Sequence, residues 1–146
     1  MLIYADVLYM YKFSDSISFG GFKELDDLSD EEKSEYVIIN LSKRNREDSD
    51  YWIPLNDGVY DNGGNTQQEF AEAVNKIREH INSENKVFIH CAVGQSRSVS
   101  ALSTALAAEN KLEFDDVLHK LLNIRNIDSK PSSSLLTKSE VYLRHM

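Results

Sequence analysis

Apolar and polar residues alternate along "IYADVLYMY" (3–11), a stretch rich in β-formers, and predict an early strand. "YVIINL" (36–41) is an unbroken β-branched apolar run, the pattern of a strand buried on both faces. "YWIPL" (51–55) predicts another strand, with Pro54 near its end or at a sheet edge. "KVFIH" (86–90) predicts a further short, buried one. Between these runs the period lengthens to that of a helix. "SDEE" (29–32) is a capping box that opens a short helix to about Tyr36. "TQQE" (66–69) is a second, and behind it Phe70, Val74, Ile77 and Ile81 share one face. "SVSALSTALAAEN" (98–110) predicts a helix of small residues that packs closely on a sheet. "FDDVLHKLLNIR" (114–125) is amphipathic, with Val117, Leu118, Leu121 and Leu122 inward. "SKPSSS" (129–134) breaks the chain before a last helix over 137–145, where "TKSE" offers a third capping box. "KRNREDSD" (43–50) reads as a solvated loop, and "NDGVYDNGGN" (56–65) as an exposed, adaptable one. Strands alternating with helices predict an α/β fold: a single domain over 1–146 with a central, mostly parallel sheet flanked by helices.

The length of 146 residues suits one core, and 41% hydrophobic with 27% charged residues is an ordinary globular composition. The net charge of −8 argues against nonspecific binding to nucleic acid or anionic membrane, which needs a basic face. No apolar run reaches the ~18 residues of a membrane span, and the start, broken by Asp6 and Lys12, is no secretory signal. The lone Cys91 cannot form an internal disulfide. A cytoplasmic protein, monomeric by default, is the expectation. No His/Cys/Asp/Glu group has metal-ligand spacing, so neither metal nor cofactor is expected. His80, His119 and His145 are scattered and carry no assignment.

The chemistry concentrates in "HCAVGQSRS" (90–98), between a predicted strand and a predicted helix. Ligands of open α/β sheets bind at the carboxyl ends of strands, where helix N-termini offer free N–H groups. A loop curling around such an end makes an anion site. Ala92, Val93, Gly94, Gln95, Ser96 and Arg97 would form that cradle, with Gly94 permitting the tight curl. Arg97 returns to the same centre as Cys91 and suits bidentate phosphate binding. Positive surroundings favour a thiolate, which would attack phosphorus in line and form a cysteinyl-phosphate. Ser98 is placed to donate to the sulfur and assist its departure, and Ser96 to tie down the loop backbone. His90 precedes Cys91 on a strand, so its side chain points to the opposite face and braces the loop.

These residues resemble the His-Cys-five residues-Arg-Ser/Thr signature of the cysteine-dependent protein phosphatases. The fuller His-Cys-x-x-Gly-x-Ser-Arg-Ser form resembles the dual-specificity branch. The resemblance implies that Cys91 is the nucleophile, Arg97 the phosphate clamp and Ser98 the residue aiding thiolate departure. It extends to "VIINLSKR" and to the helix pair "AAENKLEFDDVLHKLLNIRN", which commonly ends at an Arg; "RNIDSKPSSS" departs from the family's Arg-Pro and Pro-Asn there.

The leaving oxygen needs a proton, and "PLNDG" is the natural source. The family places its general acid in a movable loop after a strand, some three dozen residues or fewer upstream of the Cys. Asp57 occupies that position, and Asp61 in the same loop is its rival. Lys43, Arg44 and Arg46 could add positive potential at the mouth, but as solvated surface they need do nothing. The cradle "AVGQS" carries no basic residue, and the resemblance implies basic loops in phosphoinositide-cleaving relatives, so a lipid substrate is disfavoured; the acidic total disfavours an RNA 5′-phosphate. The substrate expected is a phosphorylated protein bearing phospho-Tyr or phospho-Ser/Thr. A phosphate-binding pseudophosphatase without turnover is the alternative, and a sulfurtransferase with a Cys loop is a third that the Ser after Arg speaks against.

Overall fold

In a computed structural model that describes residues 10–56 and 65–146, five strands form one sheet. They are β1 (Tyr11–Lys12), β2 (Ile17–Gly20), β3 (Val37–Asn40), β4 (Tyr51–Trp52) and β5 (Val87–His90). Their spatial order is β1-β2-β5-β3-β4, so the last strand in sequence lies in the centre. β5 pairs in parallel with β2 on one side and β3 on the other, β4 is parallel to β3, and only β1 runs antiparallel. The mostly parallel α/β sheet read from the sequence is the architecture found.

Side-chain alternation divides the core. Val87 and Ile89 of β5, Ile17 and Phe19 of β2 and Ile39 of β3 face one layer. There they meet α3 (Gln67–Asn82), α4 (Arg97–Asn110), α5 (Phe114–Arg125) and α6 (Ser133–Arg144). Phe88 and Ile38 face the opposite layer, with Leu25 of α1 (Phe22–Asp26) and Leu28 beyond it. α2 (Asp30–Lys33) contributes no buried residue. The small residues of α4 do what their size suggests: Ala101, Leu102, Ala105 and Leu106 are fully buried in the middle of the larger layer.

Two capping boxes form as read. Ser29 accepts from Glu32 N–H at 3.1 Å while Glu32 accepts from Ser29 N–H at 2.8 Å. Thr66 and Glu69 exchange the equivalent bonds at 3.0 and 2.8 Å. The third does not form. α6 starts at Ser133, with Ser132 as its cap accepting from Leu135 N–H at 3.4 Å. A cap directly after Pro131 stops the incoming chain, and it pre-empts "TKSE" one turn later.

The strand expected over 51–55 is regular only at Tyr51–Trp52. Ile53 N–H still bonds Asn40 O at 2.9 Å and Leu55 N–H bonds Leu41 O at 3.0 Å. Pro54 lies between them without an N–H, so the segment tracks β3 without completing a ladder. Of the early strand expected over 3–11, residues 3–9 lie outside the described residues. The pair β2–α1 within "SISFGGFKELD" was not anticipated.

Candidate active site

β5 ends at His90, and the chain turns through 91–96 into α4 at the carboxyl edge of the parallel strands. Cys91 is buried at the first position of this turn, with 2% of its surface exposed. Two hydrogen bonds meet at its sulfur, which accepts one and, as a thiol, donates the other. Gly94 N–H donates to Sγ at 3.2 Å, and the Ser98 hydroxyl lies 3.4 Å from Sγ on the first turn of α4. The Gly94 N–H favours negative charge on the sulfur, and the Ser98 hydroxyl, which accepts from the thiol, can turn to donate to a thiolate. The curl depends on Gly94, whose φ of +82° lies in the left-handed region. Ser98 is fully buried, while Ala92, Gln95, Ser96 and Arg97 are half-buried and Val93 stands exposed on the rim.

Arg97 opens α4, and its Nη1 donates to Leu55 O at 3.2 Å. The guanidinium therefore stands between the 91–96 loop and the end of the 51–55 segment. Just beyond, the buried Asn65 pairs with the backbone of Asn56. Its Oδ1 accepts from Asn56 N–H at 2.6 Å and its Nδ2 donates to Asn56 O at 2.8 Å. Lys43 Nζ also bonds Asn56 Oδ1. Asp57 and Asp61, the two candidate acids, lie outside the described residues. Ser96 does not tie the loop with its hydroxyl: it makes no side-chain cap bond, and its carbonyl accepts from Ser100 N–H at 2.8 Å.

His90 sits on the sheet face opposite the larger layer, packed on Phe22 and Phe88 at ring separations of 5.8 and 6.0 Å. Its Nδ1 lies 3.2 Å from Cys91 O, the bond of a neutral ring donating to the loop backbone. Burial, working against the bond to Cys91 O, pushes the ring down to about 4. His90 is thus a neutral brace at physiological pH. Because its folded value lies below the ordinary 6.5, its full contribution to stability is present above pH 6.5 and is lost as pH falls through 4. Unfolding free energy should drop by about 3 kcal/mol between neutral pH and pH 4 from this group. Urea titrations at several pH values check this, and His90→Asn should flatten that part of the profile.

Sequence reasoning missed the turn that backs the loop. Gly20, Gly21 and Phe22 lie directly against it: Phe22 N–H bonds Ala92 O at 2.9 Å and Cys91 N–H bonds Gly20 O at 3.3 Å. A Cβ on Gly21 would meet Ala92 O at 2.5 Å, so the two backbones touch without side chains between them. The buried Glu24 holds this turn by accepting from Gly21 N–H at 2.7 Å. The adjacent glycines in "FGGF" were the available signal. The basic segment after β3 proves largely structural. Arg46 is bonded by Asp26 and Asp48, which hold its proton more firmly than usual, and it lies over the Phe22 ring.

The comparisons with known proteins bear on the family and the fold. The sequence profile of the dual specificity phosphatase catalytic domain matches residues 19–137. The chain belongs to the dual-specificity phosphatase family. Among solved structures it is similar to a human tyrosine phosphatase-like serine/threonine/tyrosine-interacting protein, at TM-score 0.70 and 16% identity over 93% of this chain and 96% of that one. Human DUSP28 aligns at TM-score 0.74 and 11% identity, with 93% of each chain covered. A leucine rich repeat and phosphatase domain containing protein from Entamoeba histolytica aligns at 0.72 and 13%, over 97% and 94%. At such identities these likenesses speak for the fold. No curated protein matches by sequence. Among the described residues, no helix is long and apolar enough to cross a membrane, and no group of three or more His, Cys, Asp or Glu could hold a metal ion.

Proposed function

We propose that this dual-specificity phosphatase family member hydrolyses phospho-Tyr and phospho-Ser/Thr in proteins through a cysteinyl-phosphate. The observation that carries the proposal is the convergence of Gly94 N–H and the Ser98 hydroxyl on Cys91 Sγ, with Arg97 at the head of the same helix. In the first step Sγ attacks phosphorus, the S–P bond forms and the ester P–O bond breaks. Asp57 gives its proton to the leaving oxygen. Arg97 and the backbone of 92–96 hold the phosphoryl oxygens as their charge develops. In the second step water loses a proton to the Asp57 carboxylate and attacks phosphorus. The S–P bond breaks, and the returning thiolate is received by the Ser98 O–H and the Gly94 N–H. A free thiolate nucleophile works only while reduced, which favours the cytoplasm.

The placement of Leu55 beside Arg97 favours Asp57 as the acid, two residues further along, over Asp61. Asp57→Asn should lower kcat about 100-fold near neutral pH, whereas Asp61→Asn should change it less than about threefold. Steady-state hydrolysis of phosphotyrosine and phosphothreonine peptides by the two variants measures this. The opposite ranking would reassign the acid.

A further inference from the structure

Val93 and Gly94 share one peptide unit, and both of its polar ends are engaged. Its N–H, on Gly94, donates to Cys91 Sγ at 3.2 Å. Its carbonyl oxygen, on Val93, accepts from Arg125 Nη2 at 3.1 Å. Arg125 is the last residue of α5. Its Nη1 donates to the Tyr11 hydroxyl at 2.9 Å, and its guanidinium carbon lies 4.6 Å from the centre of the Tyr11 ring. Neither Arg125 nor Tyr11 has a part in the steps above. We infer that Arg125, steered by Tyr11, is a positioning residue that orients and polarises the 93–94 peptide so that its N–H stays on the nucleophilic sulfur.

The physical case has two parts. A peptide group is a dipole with its positive end at N–H. A cation hydrogen-bonded at the oxygen end draws density toward itself and makes the N–H a stronger donor to an anion. The sequence Tyr11 O–H, guanidinium, carbonyl, N–H, sulfur therefore carries Arg125's charge to Cys91 without contact between them. The second part is conformational. A glycine visits both signs of φ, so something must hold Gly94 at +82°. The Gly20–Gly21 backbone closes one flank, since a Cβ on Gly94 would meet Gly20 C at 2.5 Å. Arg125 secures the other by its grip on Val93 O. The planar fork of Arg is what permits both bonds at once, and a Lys ammonium does not span Tyr11 and Val93 in the same way.

This inference rests on Cys91 being the reactive thiol, and its test needs no turnover. Cys91 is the only cysteine, so the ultraviolet absorbance of its thiolate, taken against the Cys91→Ser protein, reports that one group. Titration with pH should show the thiolate profile of Arg125→Met displaced to higher pH, by about tenfold in the thiol–thiolate equilibrium. Tyr11→Phe should move it the same way by about threefold, and Arg125→Lys should fall between Met and wild type. An unchanged profile in a folded Arg125→Met protein would overturn the role. If that variant does not fold, unchanged profiles in both Tyr11→Phe and Arg125→Lys overturn it instead. A protein that shows the displacement but hydrolyses no phosphoester would keep this inference and lose the proposed function.

Discussion

Cys91→Ser is expected to abolish hydrolysis of aryl phosphates and phosphopeptides, a loss on the order of 10⁵-fold or more, while leaving the protein folded. The exchange of sulfur for oxygen is nearly isosteric in a site where the residue is 2% exposed, so packing changes little. What disappears is the sulfur nucleophile that the proposed mechanism requires. Among the described residues, neither group that meets this side chain is a base that could activate a serine hydroxyl in its place: Gly94 presents an N–H and Ser98 a hydroxyl. His90 cannot help: it lies on the opposite face, is bonded to the loop carbonyl, and burial leaves it a weak base with its pKa down to about 4. Arg97→Ala should also remove turnover, by about 10³-fold or more, but through a different loss. In the proposed mechanism the guanidinium is the fork that holds the phosphate, so this variant should lose affinity for inorganic phosphate or tungstate, whereas Cys91→Ser should retain it. Calorimetric titration of both proteins with these anions separates the two contributions. Full activity in Cys91→Ser would sink the mechanism. A wild-type protein that binds the anions tightly yet hydrolyses nothing would establish a binding module in its place.

The 91–96 loop was legible because the function proposed for it needs particular residue types at fixed intervals on a strand-to-helix turn. Cys91, Gly94, Arg97 and Ser98 announce themselves within eight positions, and the apolar run before them and the small residues after them fix the context. The central strands were legible for a related reason: β3 and β5 are buried on both faces, so they read as unbroken apolar runs. β2 was not, because "SISFG" puts Ser18 on one face and Ile17 and Phe19 on the other, inside a stretch of turn-forming residues. The support of the site was the least legible part. Gly20 and Gly21 matter for what they lack, and their partner, the 91–96 loop, lies some seventy positions away. Arg125 acts on Val93 across α4 and α5, and nothing local to "NIRN" says which carbonyl it will find. Long-range backbone contact leaves no period and no motif. The loop carrying the candidate acids shows the intermediate case. Its Asp-Gly composition reads as a turn, but the pairing of Asn65 with the Asn56 backbone comes from one more polar residue in a polar run.

Gly94→Ala tests how far catalysis depends on that backbone contact, and its effect should be second only to loss of the nucleophile or the clamp. Two penalties act together. Alanine at φ near +82° is strained, at about 1–3 kcal/mol for such conformations. Its methyl would also press into Gly20, with C at 2.5 Å and O at 2.8 Å, and neither is the free end of a side chain. The loop can relieve this only by swinging the 93–94 peptide away from Gly20. That motion takes its N–H off Cys91 Sγ and its carbonyl off Arg125. The expected result is a fall in kcat/KM of about 100-fold or more, the scale of an ångström-sized misplacement of a reacting group. Stability should fall by only about 2–3 kcal/mol, because the fully buried residues of α3 and α4 remain in contact with the sheet. Gly21→Ala probes the same contact from the other side, through Ala92 O at 2.5 Å and Val93 C at 2.6 Å, without touching the signature. A comparable loss there, in a protein that still melts cooperatively, shows that the "FGGF" turn and the phosphate loop act as one unit. Wild-type activity in Gly21→Ala would show that the loop holds its shape alone.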